Sequence, residues 1–305
     1  MSILNFCYAL GVHKEVFRKL LDRQTDTHKY QYGHVLIVGG APGMVGAPFL
    51  AARAALRVGA GLVTIASPKE VTDKLEKRVE EIMTLALPVD SSEALAAIAK
   101  FIKARKVSLL VIGPGLKSDQ ADLARQVIKN VNLPMVVDGG GLTALQNHLD
   151  SLKRFAGPSP ATGLGPAISA ILTPHTGEFQ KLLGKELPKN RAELKPLAKD
   201  FAKGHSVILV LKGQPTYVAH PGGTLYENTT GNPGLATAGS GDVLAGVIAG
   251  IIAQGVKAGQ AAEAAVYLHG LAGDLVAADK TQAGLIASDV IEQLPAALKS
   301  QIKPA

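Results

Sequence analysis

The chain of 305 residues has one cysteine, Cys7, and no tryptophan, and its aromatic residues make up only 4% of the total. A single cysteine excludes an intrachain disulfide. Cys7 lies in an apolar N-terminal stretch and reads as a packing residue or an incidental thiol rather than a nucleophile. No apolar run is long enough to cross a bilayer as a helix, which needs about 20 residues; the run from Val243 to Ala253 stops at Gln254. The first ten residues, Met1 to Leu10, carry no basic cluster before their apolar positions. A signal peptide is therefore not expected, and a cytoplasmic location is. Dense basic runs with interleaved aromatics are also missing. The formal net charge of +7 comes from lysines scattered along amphipathic stretches such as 181–203. That distribution argues against nucleic-acid binding and leaves room for a small anionic ligand.

What the chain has instead is small and aliphatic. Hydrophobic residues make up 47% of it, and there are 33 glycines, a balance suited to helices packed closely on a sheet. Short apolar runs alternate with helical patterns. Val35 to Val38 enters Gly39-Gly40, and Leu62 to Ala66 stops at Ser67-Pro68. Val107 to Ile112 enters Gly113-Pro114-Gly115, and Pro134 to Val137 enters Asp138-Gly139-Gly140-Gly141. Ile171-Leu172 leads to Thr173-Pro174-His175, and Val207 to Leu211 leads to Lys212-Gly213. Strands apolar on both faces are expected in a parallel sheet covered by helices on each side. Helices are expected over 46–58, 240–254, 258–278 and 286–299. The Pro/Gly-rich stretch 157–168 reads as a surface loop, because neither a helix nor a central strand tolerates it.

In open α/β sheets ligands bind beyond the carboxyl ends of the strands. Five of these punctuations, Gly39-Gly40, Gly113-Pro114-Gly115, Asp138 to Gly141, Thr173-Pro174-His175 and Lys212-Gly213, would then lie on one rim. The polar turn Asn228 to Gly234 and the segment Ala236-Thr237-Ala238-Gly239-Ser240-Gly241-Asp242 lead into an apolar helix. Amides at a helix start are unpaired and carry partial positive charge, and small residues let a phosphate approach them. Asp242 in that first turn has two readings. It complements the helix dipole, or it takes a proton from a hydroxyl that attacks a phosphoryl group. His175 and Glu178 have a capping reading beside a ligand reading. Asp138 is open between a structural role and organising a metal or phosphate.

Taken together, Asn232-Pro233-Gly234, Ala238 to Asp242, Thr173-Pro174-His175 with Glu178, Lys212 to Thr216, Ile112 to Gly115 and Gly46-Ala47 resemble the NAD(P)H-hydrate dehydratase family over about residues 28–300. The resemblance implies a ribokinase-like three-layer α/β/α sandwich with a mostly parallel central sheet. It implies one domain over 28–305 behind an N-terminal extension, 1–27, with no fused epimerase. The implied reaction is nucleotide-dependent dehydration of the S-epimer of hydrated NADH or NADPH, with release of phosphate and, from ADP, of AMP. By resemblance Asp242 is the general base, and the backbone of Gly239, Ser240 and Gly241 stabilises the transferring phosphoryl group. Lys212, Gly213, Gln214, Pro215, Thr216 and Gly241 hold the adenine nucleotide, and Ala47, Gly115, His175 and Asp242 contact the hydrated dinucleotide. Mg²⁺ is the implied metal, with Glu178 reaching it through water and no ligand set readable from spacing. ADP is favoured over ATP as donor, and a homotetramer is expected.

The sequence departs from the family pattern at Tyr30, where glycine is usual after His28-Lys29, and at Thr176, where proline is usual. Gly139 and Gly140 follow Asp138 where many members carry a second acid, and 157–168 reads as an insertion. Three other functions are weighed against the dehydratase. A vitamin-precursor kinase of the same fold would share the catalytic loop. A non-catalytic nucleotide binder would have no need of Asp242. A Rossmann dehydrogenase would need a Gly-x-Gly-x-x-Gly that Gly39, Gly40, Gly43 and Gly46 do not supply.

Overall fold

A computed structural model describes residues 13–156 and 169–301. Cys7, the start of the N-terminal extension and the 157–168 loop lie outside the described residues. The described residues build a nine-stranded sheet in the order β3-β2-β1-β4-β5-β6-β7-β8-β9. The strands are β1 (His34–Val38), β2 (Leu62–Pro68), β3 (Met83–Leu87), β4 (Leu109–Ile112), β5 (Met135–Val137), β6 (Ala170–Leu172), β7 (Ile208–Leu211), β8 (Tyr217–Ala219) and β9 (Leu225–Glu227). Strands β1 to β7 pair in parallel, and β8 and β9 close one edge in antiparallel fashion.

Alternation along β1 shows how the layers arise. Val35 and Ile37 belong to one buried apolar cluster and Leu36 and Val38 to the other, because successive side chains of a strand leave opposite faces. The first cluster lies under a helix over residues 13–21 (α1), α2 (Gly46–Arg57), α3 (Lys69–Leu75), α9 (Ser240–Ala253), α10 (Ala258–Asp279) and α11 (Ala287–Ser300). The second lies under α4 (Ser91–Arg105), α5 (Ala121–Asn130), α6 (Gly140–Ala144), α7 (Thr176–Leu183) and α8 (Leu194–His205). This is the three-layer arrangement expected from the strand pattern. Val16, Phe17 and Leu20 of α1 are buried in the same cluster as the sheet.

One local expectation needs correction. Ser67-Pro68 does not stop β2: the strand runs through both, and Pro68 pairs with Leu87 at the end of the β3 ladder. Proline is tolerated there because it sits at the last position, where one donor fewer does not break the ladder. Near Tyr30 the chain forms a short 3-10 turn over Lys29–Tyr32, and the reversal is made by Gly33 at φ +76°. A Cβ on Gly33 would lie 2.3 Å from the carbonyl oxygen of Ala253, so only glycine fits that turn.

Helices α2 and α9 cross with little between them. A Cβ on Gly246 would lie 2.1 Å from the Ala51 carbonyl oxygen, and one on Gly250 would lie 2.6 Å from that of Ala55. Small residues set this short separation. The crossing brings the start of α9 against α2, where Gly239 faces Leu50.

Candidate active site at the strand carboxyl ends

The loops after β1, β4, β5, β6 and β7 meet on one rim, held together through their backbones. Gly40 N–H donates to the Pro114 carbonyl at 2.8 Å, Gly140 N–H to that of Gly113 at 3.1 Å, Thr173 N–H to that of Val137 at 3.1 Å, and Lys212 N–H to that of Pro174 at 2.8 Å. Gly115 faces α2, and a Cβ there would lie 3.2 Å from Ala47 Cβ. Ala47 is half-buried in the first turn of α2.

Charge concentrates in the middle of this rim. Lys212 Nζ donates to Asp138 Oδ1 at 2.9 Å and stands 4.0 Å from Glu178 Oε2. Asp138 is 3% exposed and also accepts the Thr173 hydroxyl at 2.6 Å. A buried carboxylate with two donors is satisfied, not stranded. Burial pushes the Lys212 ammonium down, but the carboxylates of Asp138, Glu178 and Asp242 outweigh it and hold the pKa above its ordinary value. Asp242, in the first turn of α9, belongs to the same electrostatic group. Burial, reinforced by the negative charge of Asp138, pushes its carboxyl up to about 7, with Lys212 acting in the opposite sense. The backbone beside it is close to the ammonium: a Cβ on Gly241 would lie 3.0 Å from Lys212 Nζ.

The start of α9 forms as the local sequence dictates. Gly239, at φ +87°, is its N-cap, a left-handed conformation that glycine adopts without strain. Helix geometry leaves the first-turn amides of Ser240, Gly241 and Asp242 without partners four residues back. Ser240 N–H turns to the Thr237 carbonyl at 3.3 Å. The Ser240 hydroxyl is 3.3 Å from Nε2 of His269, a histidine that burial holds down at about 4 and hence neutral at pH 7.

His175 takes its capping role. Its Nδ1 accepts from Gly177 N–H at 3.0 Å and Glu178 N–H at 3.2 Å, while Glu178 Oε2 accepts His175 N–H at 2.8 Å. An acceptor at Nδ1 places the ring proton of the neutral form on Nε2. Capping does not remove either residue from the rim. His175 is exposed there, and Glu178, half-buried, faces Lys212.

The segment Lys212 to Thr216 is a tight loop between β7 and β8. The Thr216 hydroxyl donates to the Gly213 carbonyl at 2.8 Å and accepts Gly213 N–H at 3.3 Å. Gly213 and Gln214 are exposed, and Pro215 is half-buried. Two residues that the sequence reading did not single out fasten neighbouring parts of the rim. Arg191 donates to Pro215, Leu211 and Thr176. Asp274, on α10, accepts Gly231 N–H and Asn232 Nδ2–H, each at 2.9 Å. That bond orients Asn232 so that its Oδ1 accepts Gly234 N–H at 2.9 Å. The loop and the turn were each visible in sequence; their braces lie 20 to 43 residues away and carry no local pattern.

No group of three or more His, Cys, Asp or Glu residues placed to hold a metal occurs among the described residues. Glu178, half-buried and facing Lys212, is an oxygen donor that suits Mg²⁺ through water, since Mg²⁺ keeps several waters and takes one or two carboxylates beside substrate phosphates.

A family model described as NAD(P)H-hydrate dehydratase matches residues 35–296. The chain belongs to the NAD(P)H-hydrate dehydratase family. It is 43% identical over 283 residues to the bifunctional NAD(P)H-hydrate repair enzyme Nnr of Moorella thermoacetica, covering 91% of this chain and 51% of that protein. It is 34% identical over 273 residues to the ADP-dependent (S)-NAD(P)H-hydrate dehydratase of Neisseria meningitidis serogroup B, covering 88% and 86% respectively. The chain spans about half the length of the bifunctional relatives it matches. Among solved structures it resembles the ADP/ATP-dependent NAD(P)H-hydrate dehydratase of Bacillus subtilis co-crystallized with ATP/Mg²⁺. That TM-score is 0.76 at 27% identity, over 95% of this chain and 97% of that one. A hydroxyethylthiazole kinase from Pyrococcus horikoshii shares the fold, at a TM-score of 0.62 and 17% identity. No helix among the described residues is long and apolar enough to cross a membrane.

Proposed function

We propose that this chain restores NADH and NADPH from the S-epimers of their hydrates, using ADP, in preference to ATP, as phosphoryl donor. The observation that carries the reading is Asp242: a carboxyl held near neutral pH, in the first turn of a helix, beside Lys212. Relatives named for this activity support the substrate, and none of the relatives reported above at 30% identity or more is named as a kinase.

The reaction divides into two balanced steps. Asp242 accepts the proton of the C6 hydroxyl as that oxygen attacks the terminal phosphorus of ADP. A C6–O–P ester forms, the phosphoanhydride bond breaks and AMP leaves. The ester then loses phosphate: the ring nitrogen lone pair expels the C6–O bond, a proton leaves C5, and the C5=C6 bond of the dihydronicotinamide forms. A base with a pKa near the working pH is partly ionised, so it is available without an unfavourable proton-transfer driving force. Lys212 and the amides at Gly239, Ser240 and Gly241 offset charge on the transferring group, where positioning and electrostatics supply most of the catalysis.

In this reading Lys212, Gly213, Gln214, Pro215, Thr216 and Gly241 hold the nucleotide, and Ala47, Gly115 and His175 face the hydrated dinucleotide. Mg²⁺ would be held by the phosphates, with Glu178 and Asp138 reaching it through water, and would neutralise phosphate charge. A homotetramer of one domain over 28–305, with α1 of the preceding extension packed into its core, acting in the cytoplasm, completes the proposal. Product stoichiometry tests it. Hydrated NADH with ADP should yield NADH, AMP and phosphate in equal amounts by chromatography. A stable phosphorylated product, made from a vitamin precursor and without turnover of the hydrate, would establish the kinase instead.

A further inference from the structure

Arg191 stands at the head of the 3-10 turn before α8. Asn190 caps that turn, its Oδ1 accepting Ala192 N–H at 3.0 Å. From there the guanidinium reaches two loops of the rim. Nε donates to the Pro215 carbonyl at 2.6 Å and Nη2 to the Leu211 carbonyl at 3.0 Å. These two bonds grip both ends of a stretch whose middle is Lys212, Gly213 and Gln214. Nη1 donates to the Thr176 hydroxyl at 3.3 Å, at the start of α7. The guanidinium carbon lies 5.1 Å over the Tyr217 ring.

Gly213 makes the approach possible. A Cβ there would lie 2.4 Å from the Arg191 guanidinium carbon. Thr176 supplies the third acceptor. Three bonds in three directions need the planar fork of arginine; lysine has a single donor atom.

We infer that Arg191 is a positioning residue, which sets the Lys212–Thr216 segment in its nucleotide-binding shape and fastens it to the start of α7 through Thr176. The inference rests on the nucleotide role proposed for that segment. Each of the three guanidinium nitrogens of Arg191 is engaged by a neighbouring segment, at Pro215, Thr176 and Leu211. Arg191 holds the backbone from which Lys212 reaches Asp138 and Glu178. The guanidinium remains charged although burial lowers its pKa.

The test uses the full chain, and its first readout needs no turnover: titration calorimetry with ADP and Mg²⁺ on Arg191→Lys, Arg191→Gln, Thr176→Val and the Arg191→Gln/Thr176→Val double variant. All are read at a temperature where circular dichroism shows them folded. Loss of two or three bonds of ordinary strength predicts an ADP Kd raised about tenfold in both Arg191 variants, and about two- to threefold in Thr176→Val. In the double variant the Thr176 change should add nothing, since its partner is gone. Arg191→Lys should raise the KM for ADP by the same factor as the Kd, with a smaller effect on kcat. Folded Arg191 variants that bind ADP within twofold of the wild type overturn the inference, as does full additivity in the double variant. If both Arg191 variants fail to fold, Thr176→Val decides alone, and an unchanged Kd overturns the tie. Wild-type protein that binds no adenine nucleotide sinks the reading of the segment itself, a different failure from variants that bind normally.

Discussion

Lys212 and Asp138 form a largely buried ion pair, 2.9 Å from ammonium nitrogen to carboxylate oxygen, that joins the end of β7 to the end of β5 across β6. Thr173, at the end of β6, donates to the same carboxylate oxygen. Three neighbouring strands thus converge on one charged centre, and Asp242 feels both members of the pair. Removing one member leaves the other buried and uncompensated. Lys212→Met should therefore lower the unfolding free energy by about 3–5 kcal/mol, read as a drop in the urea midpoint with an unchanged slope. It should also weaken ADP binding. A midpoint within experimental error of the wild type would show that the pair is not desolvated.

Asp242→Asn keeps shape and hydrogen-bonding capacity but removes the base. Turnover of hydrated NADH should fall by about 10²–10⁴, while ADP continues to raise the melting temperature by mass action. Equal loss of activity and of nucleotide protection would assign Asp242 to binding instead.

The acidity of Asp242 makes two pH predictions of opposite sign. The base is the ionised form, so kcat/KM should rise with pH and level off above about 7. Stability runs the other way. The folded pKa, about 7, exceeds the ordinary carboxylate value of 3.8, so the folded protein holds this proton more tightly than the unfolded chain. Asp242 therefore lowers stability progressively as pH rises from about 4 to about 7. Asp242→Asn should be more stable than the wild type at pH 8, by about 1–3 kcal/mol, with the difference vanishing near pH 4. Denaturant titration of both proteins at the two pH values checks this. A variant less stable at pH 8 would contradict the burial of a charge there.

Gly239 caps α9 at φ +87°, and a Cβ would lie 2.5 Å from Leu50 Cδ1. Gly239→Ala meets both backbone strain and a clash. It should lose about 1–3 kcal/mol of stability and, by displacing the amides of the first turn, more activity than that loss of folding explains at a temperature where it is fully folded. Full activity in the folded variant would separate the cap from the chemistry.

Most of the sheet was legible because parallel strands buried on both faces read as short apolar runs ending in glycine. Val35 to Val38 and Val207 to Leu211 lie within one residue of β1 and β7. The edges were not legible. β3 is only partly buried, and β8 and β9 have three residues each, too short for alternation to register. Helices α4 to α8 were not legible individually, because their patterns are amphipathic and some of them, such as α6 and α7, start within the glycine-rich and polar loops of the rim. The rim itself followed from strand polarity. What sequence could not show was pairing at long separation: Lys212 with Asp138, Arg191 with Thr176 and Pro215, Asp274 with Asn232. Each bond joins residues 15 or more apart, and nothing in the local sequence of either partner announces the other.

The most direct measurement follows the absorbance of the dihydronicotinamide ring on mixing the protein with hydrated NADH, Mg²⁺ and ADP or ATP. The chromophore should return with ADP, more slowly with ATP, and not at all without nucleotide. A flat trace with both nucleotides, using folded protein that binds them, would contradict the dehydratase assignment.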